Sequence, residues 1–219
     1  MTSAALPHWD PPPAYARLCA LWTAWCELRR ETAYWQASTY TLPKATFEPV
    51  ELSRLRQRLA ATFAAERSNL RHELEHCASL PGLAETRSLL QTIPGLGPLT
   101  ALALLVRADQ LYNFNPRQLT AYLGLAPVGG PPPLSRGDNP HHRGGDVELR
   151  HLLVFAAWAA QRRIPRLADF SHRLSLTGKP RLVVRLAVAR KLLLIAQAVL
   201  LSGAPYRELP LPDPGQPET

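Results

Sequence analysis

The stretch that most constrains this fold is Leu89-Leu90-Gln91-Thr92-Ile93-Pro94-Gly95-Leu96-Gly97-Pro98-Leu99-Thr100-Ala101-Leu102-Ala103-Leu104-Leu105. Leu89, Leu90 and Ile93 are apolar at helical spacing. Pro94 and Gly95 then stop the helix, because proline cannot continue the hydrogen-bond ladder and glycine accepts a positive φ. Pro98 opens a second helix, at the position where its missing N–H costs nothing. Leu99, Leu102, Ala103 and Leu105 supply that helix's apolar face. The stretch therefore predicts two short helices joined by a glycine turn, with Leu96 anchoring the turn between two bare glycines.

The pattern is similar to the helix-hairpin-helix motif of many DNA-binding proteins. Backbone amides beside a helix N-terminus attract phosphate oxygens through hydrogen bonds and the helix dipole. Such contacts position a protein on nucleic acid without reading sequence. Gly95, Gly97 and Thr100 are the candidate contacts. A helical hairpin that merely packs inside an α-domain fits the same residues.

Charge bears on that choice. The chain of 219 residues has a formal net charge of +8 and a pI of about 9.9, a balance that favours an anionic partner. From Arg107 to Lys191 there are 14 Lys and Arg against 5 Asp and Glu, whereas the residues before Arg107 carry 10 against 9. The basic excess thus lies downstream of the glycine turn. The three cysteines, Cys19, Cys26 and Cys77, form no CxxC pair, which points to reduced thiols and a cytoplasmic setting. Arg185, Arg190, Lys191 and Gln197 interrupt the apolar run from Leu182 to Leu201, so it reads as a buried helix rather than a membrane span. No regular ligand spacing supports a metal site around Asp138, His141 and His142.

No segment has strand periodicity, and the expected fold is all-α: a helical bundle containing the hairpin, with a long N-terminal helical arm. Residues 1–13 read as a flexible leader. Residues 14–87 read as the arm, in which Leu18, Leu21, Trp22, Trp25 and Leu28 share one side of a first helix. Tryptophans at that spacing are expected to be packing anchors rather than base-stacking groups. Leu52, Leu55, Leu59, Phe63, Leu70, Leu74 and Cys77 form a narrow coiled-coil-like stripe on a second helix. Residues 88–202 read as the hairpin-containing domain. Within it, Asn115-Pro116-Arg117-Gln118 is a capping box, residues 127–145 form a long polar loop, Asp146 caps the next helix, and a final helix runs from Pro180 to Ser202. Residues 203–219 read as a disordered tail.

Taken together, these segments resemble the insertion-sequence transposases of the IS110 and IS116 type, also called bridge recombinases. Ser88 to Ala101 looks like that family's hairpin, and Gln118 to Pro127 like its next helix. Arg143-Gly144-Gly145-Asp146 with Leu149-Arg150 resembles its basic segment. Gly178-Lys179-Pro180 and Ala187 to Leu193 resemble its closing helix, and Trp9-Asp10-Pro11-Pro12-Pro13 the start of its arm. The resemblance implies DNA binding in DNA transposition and recombination, with DNA as partner, a structured guide RNA as a second, and bacterial, nucleoid-associated localisation. It implies a RuvC-like N-terminal domain with metal-binding carboxylates. No segment here reads as that domain, so the chain is expected to hold no cofactor and to correspond to the arm and C-terminal domain.

The resemblance also implies a nucleophilic serine in the loop after the Leu123-Gly124-Leu125 turn. Ser135 is the only serine there, displaced a few positions, with prolines at the usual place. Arg136, Arg143, Arg150, Lys179, Arg181 and Arg185 are the expected phosphate-neutralising cations. Three readings stay open at this stage. The first is a DNA-binding module, not catalytic alone. The second is a non-catalytic interaction protein or relic whose arm pairs with itself or with a full-length transposase. The third is a serine-using half-enzyme completed by a separate metal domain.

Overall fold

The structure, a computed structural model, describes residues 9–37, 49–126 and 146–208. Every regular element among them is helical, as the sequence pattern predicts: α1 (Tyr15–Ala37), α2 (Val50–Cys77), α3 (Leu83–Gln91), α4 (Pro98–Leu105), α5 (Ala108–Asn113), α6 (Pro116–Tyr122), α7 (Val147–Ala160), α8 (Pro165–Leu176) and α9 (Arg181–Ser202). The chain divides into two compact units, Pro12–Ala84, and Met1–Pro11 together with Glu85–Thr219.

The Pro12–Ala84 unit is a helical hairpin of α1 and α2. Its helices run antiparallel, because the start of α1 meets the end of α2. The Cys77 thiol donates to the Ala14 carbonyl at 3.5 Å, and Arg17 pairs with Glu73 at 3.0 Å. Leu18, Trp22, Trp25, Leu74 and Cys77 are buried, and the Trp22 and Trp25 rings stack at 5.1 Å. The tryptophans are packing anchors here. Burial holds the Cys77 thiol above its ordinary pKa, with Arg17 acting against that shift and Glu73 with it. The α2 stripe is covered only at its C-terminal end: Leu55 is exposed, and Leu52, Leu59, Phe63 and Leu70 are half-buried.

In the other unit, α4 is the innermost element. Thr100 through Val106 are all buried. Helix α9 packs against α5, α6, α7 and α8, and α4 against α7. The buried Gln197 amide donates to the carbonyls of Leu111 (3.0 Å) and Phe114 (2.6 Å), satisfying acceptors around the end of α5. Helix α5 has no strong sequence signature: only Ala108 and Leu111 are buried in its six residues, too few for a readable period.

Two other segments depart from expectation. Trp9, placed in the flexible leader by its proline-rich surroundings, stacks nearly parallel on Tyr112 at 5.7 Å. Near the other terminus, the Tyr206 amide donates to Thr92 Oγ1 at 2.8 Å, and Tyr206 is half-buried. The start of the tail is therefore pinned to the turn after α3. Both corrections have one cause: an isolated aromatic in a proline-rich context shows no periodicity, yet it buries enough area to dock.

Candidate nucleic-acid interface

The glycine turn forms as its residues dictate. Helix α3 ends at Gln91, Gly95 takes φ +89°, and Pro98 is the first residue of α4. Leu96 is buried beneath the turn. The two glycines differ, however. A Cβ on Gly95 would lie 2.4 Å from the Ala160 nitrogen and 2.5 Å from its Cα, inside the backbone at the end of α7. Gly95 is thus required by close packing as well as by its positive φ. Gly97 has an ordinary φ of −72°, and nothing lies within 4 Å of a Cβ built there. It is the N-cap of α4 without a side-chain cap, so the first-turn amides of Leu99 and Thr100 have no side-chain acceptor.

The expected contacts sort into three groups. Gly97, Lys179, Arg181 and Arg185 are accessible, with Gly97 half-buried and the three cations exposed. Thr100 and Arg150 are not accessible, at 6% and 3% exposure. Thr100 faces the core from inside α4. Arg150 points its guanidinium inward, with Nη1 3.4 Å from the Leu123 carbonyl. Sequence spacing alone does not reveal that inward turn, because the partner is a backbone oxygen 27 residues away. Ser135, Arg136 and Arg143 lie outside the described residues.

Arg181 and Arg185 stand one turn apart on α9, and Lys179 precedes its N-cap, Pro180. None of the three makes a salt bridge or side-chain hydrogen bond among the described residues. Aromatic groups are also exposed on α7: Phe155 and Trp158 face solvent, and the Arg162 guanidinium sits 4.2 Å from the centre of the Trp158 ring. An arginine over an indole is a cation–π pair. Sequence reading missed Phe155 and Trp158, since apolar residues on an apolar helix look like core.

The residues that flank 127–145 are held by arginines. Arg190 Nε donates to the Leu125 carbonyl at 3.0 Å, and burial lowers its pKa. Arg107 grips Asp146 Oδ2 through Nη2 at 2.7 Å and Nε at 2.9 Å. Asp146 also accepts from the Leu149 amide at 3.0 Å, so one carboxylate caps α7 and closes the ion pair. Asp146→Ala removes both interactions and strands a partly buried guanidinium. It is expected to cost about 2–3 kcal/mol of stability, to be read by urea unfolding. A cost below about 0.5 kcal/mol would show that the pair is only a surface contact.

Among the described residues no three His, Cys, Asp or Glu side chains stand together as metal ligands. No described helix is long and apolar enough to cross a membrane.

Comparison with known proteins bears on this geometry. The model of the Transposase IS116/IS110/IS902 family matches residues 87–172, the span from α3 into α8. The pilin gene-inverting protein of Moraxella bovis is 33% identical over 133 residues, covering 58% of this chain and 40% of that protein. The protein of the same name from Moraxella lacunata matches to the same extent. An uncharacterized 43.6 kDa protein of insertion element IS110 from Streptomyces coelicolor is 29% identical over 133 residues, covering 59% of this chain and 33% of the other. The matches span about 40% of the length of the Moraxella relatives and a third of the Streptomyces one.

Proposed function

From the match of residues 87–172 to the Transposase IS116/IS110/IS902 family, we propose that this chain is a member of that family and acts in DNA transposition or recombination by binding nucleic acid through the unit that holds α4 to α9. The observation that carries the reading is the set Lys179, Arg181 and Arg185, exposed and without carboxylate partners among the described residues. Clustered free cations of this kind neutralise phosphates and release counterions. The accessible first turn of α4 at Gly97 offers amides to a further phosphate. The exposed Phe155 and Trp158, with Arg162 on the indole, suit unpaired bases. The Moraxella relatives are named for inverting a pilin gene, which is a rearrangement of DNA and agrees with this reading.

Gly97 separates a phosphate contact from a packing role. Gly97→Asp introduces a better N-cap into open space, so thermal stability is expected to hold or rise by a few tenths of a kcal/mol. Its carboxylate would repel an incoming phosphate, and duplex DNA affinity is expected to fall about tenfold at low salt. Unchanged affinity would remove the α4 N-terminus from the interface.

Ser135 stands as the nucleophile that the family resemblance implies. A serine hydroxyl needs an activating group to attack at neutral pH, and in this reading a further domain completes the site. Mixed with a separate RuvC-like metal domain, the native chain is expected to support DNA joining that Ser135→Ala loses while binding as before. Joining that survives the substitution would exclude Ser135. The guide RNA and self-association through the arm belong to the same proposal, RNA being read by the same cations and the half-covered α2 stripe being the surface for a second copy.

A further inference from the structure

Between α8, the first half of α9 and the turn after α6 lies a cleft of about 270 Å³. Its apolar walls include Leu125, Phe170 and Val183, and its polar groups are Lys179 and Arg190. No carboxylate lines it. Lys191 adds a third cation beside it, with Nζ 5.5 Å from the centre of the Phe170 ring.

Arg190 makes the cleft more than a surface dent. It is half-buried, its Nε is committed to the Leu125 carbonyl, and its Nη1 and Nη2 donate to nothing among the described residues. Its Nη atoms are not buried, so the guanidinium tip is open to an incoming acceptor while its Nε is fixed. The cleft combines that positioned cation and Lys179 with an aromatic ring and aliphatic walls. An inorganic anion would use the cations and waste the walls, and an apolar ligand would do the reverse.

We propose that this cleft takes a single unpaired nucleotide, its phosphate held between Lys179 and Arg190 and its base laid against Phe170, Leu125 and Val183. A base pair within a duplex cannot enter a cleft of this size, so the nucleotide must be out of the stack. The proposal deepens the nucleic-acid reading above by naming which part of the partner this site takes. A free mononucleotide carries the same chemistry, and the test separates the two sources.

The experiment uses the full chain and two duplexes identical except for one extrahelical 2-aminopurine, with free dAMP as competitor. The native chain is expected to bind the bulged duplex about tenfold more tightly than the perfect one, the usual worth of one base stacked on protein. The 2-aminopurine emission is expected to change on binding. Ala187→Phe places a ring in the cleft from its α9 wall and is expected to erase the preference while leaving the perfect-duplex affinity unchanged. Phe170→Leu, which removes the aromatic ring and keeps apolar volume, is the second variant should Ala187→Phe unfold, and it is expected to reduce the preference several-fold.

Displacement of the bulged duplex by millimolar dAMP assigns the cleft to any nucleotide. A preference that persists against dAMP assigns it to a strand-borne one. Equal, tight and salt-sensitive binding of both duplexes overturns the cleft proposal and leaves the duplex-binding reading standing. Binding of dAMP with no binding of either duplex overturns the duplex-binding reading and leaves the cleft. No binding of any of the three overturns both.

Discussion

Replacing Gly95 by alanine is expected to destabilise the chain by about 3–5 kcal/mol, a large share of the 5–15 kcal/mol typical of a folded domain. Two penalties combine. A side chain at φ +89° sits in the left-handed region, which costs about 1–2 kcal/mol. The new Cβ would also lie 2.4 Å from the Ala160 nitrogen, and a backbone atom cannot swing aside as a side-chain tip can. Either the turn must leave α7 or the end of α7 must shift, and both expose the buried residues around Leu96 and Ala160. Gly178 is the internal control. Its φ is +74°, but nothing lies within 4 Å of a Cβ there, so Gly178→Ala is expected to cost only about 1–2 kcal/mol. Urea unfolding of the two variants checks the contrast. Similar losses would mean that the α3–α4 turn does not pack on α7 as described.

Simultaneous replacement of Lys179, Arg181 and Arg185 by glutamine is expected to weaken DNA binding at low salt by about 100-fold or more, and to lower the log–log salt slope by about two to three units. All three side chains are exposed and make no intramolecular ion pair among the described residues, so folding should be little affected. Arg181→Gln and Arg185→Gln also keep a good helix former within α9. Filter binding of native and variant chains from low to moderate salt measures both numbers. The matching control is Arg54→Gln, an exposed arginine in the separate Pro12–Ala84 unit, which is expected to leave the slope unchanged, against about 0.9 unit for one lost phosphate contact. A triple variant with an unaltered slope would show that these cations do not meet phosphate.

What could be read from the sequence was local or periodic. Asn115 accepts from the amides of Arg117 and Gln118 while Gln118 reaches back to the Asn115 amide, forming the capping box its four residues announce. Asp146 caps α7, Gly124 and Gly178 take positive φ after their helices, and the all-helical class follows from the absence of alternation. What could not be read depends on where distant segments meet. Arg150 and Arg185 are both arginines on helices with apolar neighbours, yet one is buried against the Leu123 carbonyl and the other faces solvent. Gly95 and Gly97 look equivalent in the sequence, and only the approach of α7 separates them. Arg190 lay within a segment noted for its resemblance to the family's closing helix. Its place in a cleft with Lys179 and Phe170 needed the α8–α9 packing.

The central claim is that this chain binds nucleic acid through its own cationic surface. Its most direct test is the equilibrium affinity of the purified native chain for a duplex of arbitrary sequence, measured across a salt series. The account predicts tight binding at low salt that weakens steeply, with a log–log slope of about −2.7 or steeper, since three cationic phosphate contacts are assigned to Lys179, Arg181 and Arg185 and the neutral amides at Gly97 release no counterion. Weak binding at low salt, or a slope near zero, would contradict it and move the function to protein–protein contact through the helical arm.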